Sequence, residues 1–346
     1  MTDPLLIETA ERVFSDTCTH DAIEAAEREG WAPDIWARVS EVGLPWIALE
    51  GGSLVDALAV LRVAGRHAAP IPLAETGVLA GWLLAASGLP AGEGPLTVVP
   101  GRPDDTLELV RDRLSGVAHR VPWGCVVEQV VALIEVAGAW FVAAVPRTGF
   151  AVERRSNLAG EPRDTVTFDG RAQVAPAAQG VDASALRYRG ALTRVMLMAG
   201  ALEQMSRLTV GYTNERVQFG RPVGRFQAVQ QHLVQGAQEA ALVGTAADGA
   251  ARAARGGPAR FEIAAAKLIA NRAAHTATRA AHQAHGAMGM TREYSLHHLS
   301  RRLWSWRSEY GDDLFWSSTL GAAVARAGPE QLYPIITSGS AVLLEL

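Results

Sequence analysis

The spacing of apolar residues changes twice along the chain, and this change constrains the fold more than any other feature. From about Pro4 to Leu89 apolar residues recur at helical intervals, as in LVDALAVLRVAGRHAA. Between about Pro95 and Gln179 they form short runs such as VVALIEV and WFVAAV, which predict strands and a hairpin. Helical spacing then returns. The sequence therefore predicts three segments in order: an N-terminal helical domain (1–94), a middle β domain (95–182) and a C-terminal helical bundle (183–346).

The C-terminal segment has the pattern of a four-helix-type α bundle. Two long alanine-rich stretches cover about 226–255 and 261–284, and the RGGP turn at 255–258 between them predicts an antiparallel helix pair. A preceding helix carries one apolar stripe, formed by Ala191, Val195, Met198, Leu202 and Met205.

Composition excludes several classes of function. The chain has 346 residues and 49% hydrophobic composition, enough for a large core. A net charge of −4 and a pI near 6.2 argue against nucleic acid or a membrane surface as partner. The acidic, amphipathic start and the lack of a long apolar run predict neither a secretory signal nor a membrane span, and therefore a cytoplasmic protein. Cys18 and Cys125 lack metal-ligand spacing, so no metal is expected.

One corner of the C-terminal segment is unusual. In NERVQFGRPVGRFQAVQ (214–230), a helix carrying Tyr212 and Arg216 is predicted to stop at Gly220. Pro222 prevents the helix from resuming at once, and a new helical pattern begins near Phe226. The sequence therefore predicts a short non-helical segment between two helices, with polar and aromatic side chains on and beside it.

This corner and a second stretch, HQAHGAMGMTREYSLHHLSRR (282–302), resemble the acyl-CoA dehydrogenase family. The family signatures are an Arg-x-Gln-Phe-Gly corner followed by Phe-Gln, and a Gln-x-His-Gly-Gly-x-Gly-Thr-like segment before the last helices. The resemblance extends over the whole chain in layout and is specific from about Ala191 to Gly311. It implies the acyl-CoA dehydrogenase fold and α,β-dehydrogenation of an acyl-CoA thioester, with electron-transfer flavoprotein as the acceptor.

The resemblance also implies FAD as cofactor, contacted by both segments. An arginine fork suits two pyrophosphate oxygens, an aromatic ring can cover the cofactor, amides suit its ribityl or adenine groups, and small residues permit close backbone approach. Ala287 stands where the family has a second glycine, which is tolerable if its φ stays negative. The residues concerned are Arg216, Gln218, Phe219, Gln227, Gln283, Gly286 and Ala287.

Each motif also has a purely structural interpretation. Arg216 then is a solvated charge at a helix end, Gly220 an ordinary helix stop and Phe219 a core residue. His285, which precedes a glycine, is interpreted as a C-terminal helix cap and receives no catalytic role.

The catalytic base is the main departure from the family pattern. Most members place a glutamate directly before a glycine-threonine pair, and alignment on Gly311 puts Tyr310 there. Others place it on the first helix of the C-terminal bundle, where this chain has Thr193. Glu309 is the remaining candidate, but a shift of one helical residue rotates a side chain by about 100°, which would point it out of the cleft unless the local backbone is altered. A surface or interface salt bridge is therefore its alternative role.

A second departure lies in the predicted β domain, where HRVPWGCVVEQVVALIEV stands in place of the family's flavin-binding loop. Together these losses favour a subunit of a heteromeric (α2β2) acyl-CoA dehydrogenase, like those of actinobacterial sterol breakdown. Its partner subunit would carry the base and most of the FAD site. The alternatives are a self-sufficient homomeric enzyme that uses Glu309, and a flavin-free structural homologue.

Overall fold

A computed structural model describes residues 3–49 and 52–338 of the chain. These residues form two compact units. The first contains the chain up to Leu61 together with Ala69–Gly190. The second contains Arg62–Ala68 together with the chain from Ala191 onward. The boundaries predicted at 94/95 and 182/183 remain predictions, and their outer limits at residues 1 and 346 lie outside the described part.

The chain begins with helices that end where local signals predict. Asp3 and Thr19 cap the first two helices by accepting backbone N–H bonds, and Gly30 in the left-handed region ends the second. The helical elements are α1 (Pro4–Thr17), α2 (His20–Glu29), α3 (Pro33–Glu41), α4 (Leu54–Arg66), a π-helix (Ala74–Gly81) and α5 (Trp82–Ala86).

Eight strands follow and form two four-stranded sheets. One sheet has the order β1-β4-β5-β8 and the other β2-β3-β7-β6, and the inward side chains of both form one apolar cluster. The strands are β1 (Leu96–Val98), β2 (Thr106–Val110), β3 (Arg113–Pro122), β4 (Gln129–Val136), β5 (Ala139–Pro146), β6 (Phe150–Glu153), β7 (Arg163–Arg171) and β8 (Gln173–Pro176).

The predicted hairpin is confirmed. VVALIEV and WFVAAV lie in β4 and β5, which pair antiparallel from Gln129↔Pro146 to Val136↔Ala139. The two turn residues, Ala137 and Gly138, both have positive φ, the geometry that suits a two-residue hairpin.

Helices return after β8, so the predicted order of helical, β and helical segments is confirmed. The five residues of the apolar stripe are all buried in the second unit, and the two alanine-rich stretches form the predicted antiparallel pair. The elements are α6 (Ala183–Glu215), β9 (Val217–Gln218), β10 (Arg221–Pro222), α7 (Gln227–Ala253), α8 (Arg260–His285), α9 (Leu296–Trp306), α10 (Asp313–Ala327) and α11 (Leu332–Ser338).

Two glycines allow α4 and α6 to approach closely within the second unit. A Cβ on Gly65 would overlap the carbonyl of Leu197, and one on Gly200 would overlap the carbonyl of Arg62. The crossing brings Arg62 Nε to 2.9 Å and Arg66 Nη2 to 2.8 Å from the Glu203 carboxylate. Burial opposes ionisation of Glu203, but these two guanidinium groups outweigh it and lower its pKa.

Candidate functional site

The corner after α6 is a tight hairpin rather than a helix end. Contrary to the prediction that the helix runs to Gly220, α6 ends at Glu215, and Arg216 is the first residue beyond it. The short strands β9 and β10 pair Gln218 with Arg221. The helix stops early because the backbone must reverse over Phe219 and Gly220, which both have positive φ (50° and 78°).

Phe219 forms the tip of this hairpin and is 92% exposed. The interpretation of Phe219 as a core residue is therefore wrong. A phenylalanine at positive φ is strained by about 1–2 kcal/mol, because its Cβ crowds the following carbonyl. Its ring lies edge-on to Phe226, 6.1 Å away, and Arg221 lies 4.2 Å over the Phe226 ring. The exposed aromatic ring on a strained turn makes Phe219 a candidate binding residue.

The second motif segment lies at the end of α8, next to the corner. The ring of His285 stacks on Tyr212, with centroids 4.6 Å apart and planes at 21°. Tyr294 contacts both rings and donates a hydrogen bond from its hydroxyl to the Leu208 carbonyl in α6. The two segments quoted from the sequence are thus brought together by one aromatic cluster.

The backbone after His285 fits the small residues found there. Gly286 has φ 60° and ψ −136°, a conformation that only glycine adopts without strain. Ala287 is absent from the described residues with positive φ, so the replacement of the family glycine is tolerated as expected.

His285 is 3% exposed, and burial lowers its pKa, so it is neutral near pH 7. Its Nδ1 lies 2.8 Å from the Ala281 carbonyl and therefore donates, which leaves Nε2 as an acceptor. This bond fits the interpretation as a helix cap, although a neutral ring adds no charge to the dipole. Nε2 is buried without a hydrogen-bond partner among the described residues.

The residues present fit part of an FAD site. All seven candidate residues are exposed on the second unit, at the hairpin, the start of α7 and the end of α8. They offer one guanidinium, three amides, one ring and a glycine backbone, which match pyrophosphate, polar and aromatic groups of a dinucleotide. The buried acceptor on His285 beside them is a further polar atom that a bound group or water can satisfy.

The three candidate base positions meet around one arginine. Arg194, 1% exposed, donates from Nε to Glu309 Oε2 at 2.6 Å. Its guanidinium lies 5.3 Å over the Tyr310 ring, and Nη1 lies 3.5 Å from the hydroxyl of Thr193. Thr193 is itself fully buried.

Glu309 does form the expected salt bridge, but not on the surface, since its partner is one of the most buried side chains in the chain. The 100° helical rotation does not apply to Glu309, because the local backbone is altered. α9 ends at Trp306, and Glu309 lies in a turn that continues through Tyr310 (φ 55°) and Gly311 (φ 110°). Because this backbone is not helical, Glu309 points back toward α6.

Sequence reasoning missed Arg194. Its signal is a single charge within the apolar run LTRVMLMAG, at a position that packs inside the second unit. A buried arginine requires a carboxylate or several carbonyls nearby, so this residue should have prompted a search for its acid.

The stretch that replaces the family's flavin loop belongs to the β core. His119–Val136 comprises the end of β3, a turn and β4. Trp123 is 3% and Val127 1% exposed, and both lie in the apolar cluster. Burial and the Asp164 carboxylate raise the pKa of Cys125 to about 12, so its thiol is not a nucleophile near neutral pH.

Helices, a two-sheet β region and further helices in this order, with an arginine-glutamine-phenylalanine corner after α6, define the acyl-CoA dehydrogenase fold. Residues 184–311 match the family described as acyl-CoA dehydrogenase, C-terminal domain. Residues 184–311 thus form an acyl-CoA dehydrogenase C-terminal domain, and the acyl-CoA dehydrogenases that this chain resembles are FAD-dependent flavoproteins.

Three similar proteins illustrate the relationship. Acyl-CoA dehydrogenase IpdE2 of Mycolicibacterium smegmatis is 28% identical over 308 residues, which cover 84% of this chain and 89% of the relative. In the ChsE4-ChsE5 complex from Mycobacterium tuberculosis, one chain has a TM-score of 0.83 at 23% identity and covers 94% of this chain and 98% of its own. In the structure of the Tcur3481-Tcur3483 steroid ACAD G363A variant, one chain has a TM-score of 0.84 at 24% identity and covers 93% of this chain and 97% of its own.

Within residues 3–49 and 52–338, no helix has both the length and the apolar character needed to cross a bilayer.

Proposed function

We propose that this chain is one subunit of a heteromeric, flavin-dependent acyl-CoA dehydrogenase. Its hairpin at Arg216–Pro222 and the end of α8 complete an FAD site whose other walls belong to a partner subunit. The reaction is α,β-dehydrogenation of an acyl-CoA thioester, and the partner carries the base.

The observation that carries this proposal is the exposure of the cofactor-type side chains. They project from a strained hairpin and a helix end, with a 92% exposed phenylalanine at the tip. Residues that enclosed a cofactor within this chain would line a concave site. Side chains that are this exposed instead suit a ligand whose other contacts come from a second subunit.

Each group of this chain has a defined role toward the cofactor. The Arg216 guanidinium would bind the pyrophosphate, and Phe219 would cover an aromatic ring system. Gln218, Gln227 and Gln283 would supply amide hydrogen bonds, while Gly286 and Ala287 allow close backbone approach. The flavin, when bound, accepts a hydride from the β-carbon of the acyl group.

The environment of Glu309 argues against its use as a base in this chain. A carboxylate that holds a buried guanidinium at 2.6 Å is stabilised in its charged form, which weakens it as a proton acceptor. Removing the α-proton would also cost part of that ion pair. The self-sufficient homomeric enzyme that uses Glu309 is therefore the second candidate.

Names of the similar proteins support the choice of partner and substrate class. Two of the similar structures are complexes named for two different polypeptides, and one is described as a steroid ACAD. We infer a partner from the same family and a bulky, sterol-derived CoA ester as substrate. Electron-transfer flavoprotein is the inferred electron acceptor.

Arg216→Ala in the assembled complex tests this function. Loss of a charge-assisted hydrogen bond of about 1.5–3 kcal/mol should leave FAD partly dissociated after gel filtration. Arg255→Ala, which removes another exposed arginine beyond the far end of α7, is the matched control and should retain FAD. Full retention by the Arg216 variant would contradict the proposed site.

A further inference from the structure

Lys267 in α8 is the only lysine among the 32 lysine and arginine residues of the chain. It is fully buried. A charged side chain rarely occupies such a position unless acceptors surround it. Every other Lys/Arg position of the chain holds an arginine, and the compact amine of lysine can enter a space that the planar guanidinium of arginine does not fit.

The Lys267 amine lies at the centre of four oxygen acceptors. Nζ is 2.6 Å from Asn271 Oδ1 on the same helix, 3.3 Å from the carbonyl of Trp306, 3.0 Å from that of Arg307 and 3.1 Å from that of Gly311. Two of these carbonyls end α9, where helical partners are missing. The third closes the turn that contains Glu309 and Tyr310.

We propose that Lys267 is a positioning residue. Its amine holds the Arg307–Gly311 turn in the shape that pairs Glu309 with Arg194, and opening of this turn is coupled to proton uptake by the amine.

The turn depends on these donors because its backbone is strained. Tyr310 has φ 55°, which costs about 1–2 kcal/mol for a residue with a side chain. The Gly311 carbonyl accepts from Lys267 and from Trp316 Nε1 at 3.2 Å, and Asn271 Nδ2 lies 3.4 Å away. These donors therefore hold Gly311, the residue that directly follows Glu309 and Tyr310.

The charges around Lys267 explain the coupling. Arg194 faces it from α6 and Arg307 from the end of α9, while Glu309 in the turn and Asp313 in α10 oppose them. Glu309 pairs with Arg194 and Asp313 with Arg307, so neither carboxylate is dedicated to the lysine. Burial lowers the pKa of Lys267 to about 7, from a usual value of 10.5.

The sign of the coupling follows from these two values. An opened turn exposes the amine to water and restores its usual pKa, so the open state binds more protons than the closed state between about pH 7 and 10.5. The equilibrium constant for opening of the turn therefore falls as the pH rises through this window, by a factor of up to about ten per pH unit. The open state of the turn is most populated at and below pH 7.

Hydrogen–deuterium exchange of the full chain between pH 7 and 9 tests the proposal. After correction for intrinsic exchange rates, protection of peptides covering 305–312 should rise by about tenfold per pH unit. The corrected protection of the hairpin Gln129–Pro146 should not change with pH, so this hairpin serves as an internal control. In Lys267→Met, which keeps the side chain's length without the amine, the pH dependence should vanish and protection at pH 9 should fall.

Two outcomes overturn the proposal. One is a wild-type turn whose corrected protection does not change with pH, which is informative even if the variant does not fold. The other is a Lys267→Met variant with the wild-type slope. Because the chain has one lysine, [13Cε]lysine labelling gives a single resonance, and its titration midpoint must coincide with the pH at which protection begins to rise.

Discussion

Arg194 Nε donates to Glu309 Oε2 across 2.6 Å, joining residues 115 positions apart in the sequence. The pair occupies the place where the family pattern leads one to look for a catalytic carboxylate. Glu309 is present there but is engaged by a guanidinium that is almost completely buried. In the function proposed above, Glu309 is therefore a structural partner of Arg194, and the base belongs to another subunit.

Glu309→Gln should leave flavin reduction nearly unchanged in the assembled complex. The amide retains an oxygen that accepts from Arg194, so the turn keeps its shape while the basic group is lost. If Glu309 were the base, the same change would slow reduction by about 10²–10⁴-fold. Stopped-flow bleaching of the flavin by an acyl-CoA substrate separates the two outcomes, and a hundredfold loss would restore this chain as the catalytic subunit.

Phe219→Asn should show separately the effect of backbone strain at this position and the effect of the proposed contact between the ring and FAD. Asparagine tolerates positive φ, so the chain should gain about 1 kcal/mol in unfolding free energy. The assembled complex should nevertheless lose FAD more readily, because the covering ring is gone. Leu158→Asn, at another exposed apolar position, is the control for surface polarity. Unchanged FAD retention in Phe219→Asn would show that the ring does not contact the cofactor.

The fold was predictable where periodicity is local. The hairpin β4–β5 followed from the short apolar runs VVALIEV and WFVAAV, and the helix pair α7–α8 from two long alanine-rich stretches around RGGP. The π-helix at Ala74–Gly81 was not predictable, because its i→i+5 bonding follows from packing along a fully buried segment.

The position of the candidate site in the sequence was predictable, but its backbone geometry and its side-chain contacts were not. The corner was found from Gly220 and Pro222, but pairing of Gln218 with Arg221 depends on a turn that forces Phe219 into positive φ. Contacts between distant residues, such as Arg194 with Glu309 and Tyr212 with His285, arise from tertiary packing, which residue patterns along one helix do not reveal.

Gly200→Ala should destabilise the chain by about 3 kcal/mol, because its Cβ would overlap the Arg62 carbonyl where α4 crosses α6. Gly249→Ala is the matched control, since a Cβ there meets no atom within 4 Å. That change should be neutral or stabilise by about 0.5–1 kcal/mol through helix propensity. Urea unfolding of both variants measures the difference, and equal effects would contradict the close crossing.

Glu203→Gln should destabilise the chain at neutral pH by about 2 kcal/mol, since charge-assisted bonds from Arg62 and Arg66 weaken. The folded pKa of Glu203 is lowered, so its stabilising effect is present above the usual value near 4.5 and disappears as the pH falls through the folded value. The difference between wild type and variant should therefore shrink in acid. A difference that grew below pH 4.5 would contradict the assigned sign.

FAD content per chain decides whether the cofactor site is shared between two unlike subunits. The chain should be purified alone and together with its partner subunit, and flavin absorbance compared with protein concentration in both samples. We expect almost no FAD on the chain alone and one FAD per pair of unlike chains in the complex. A chain that retains about one FAD by itself would contradict a shared site and favour the homomeric enzyme.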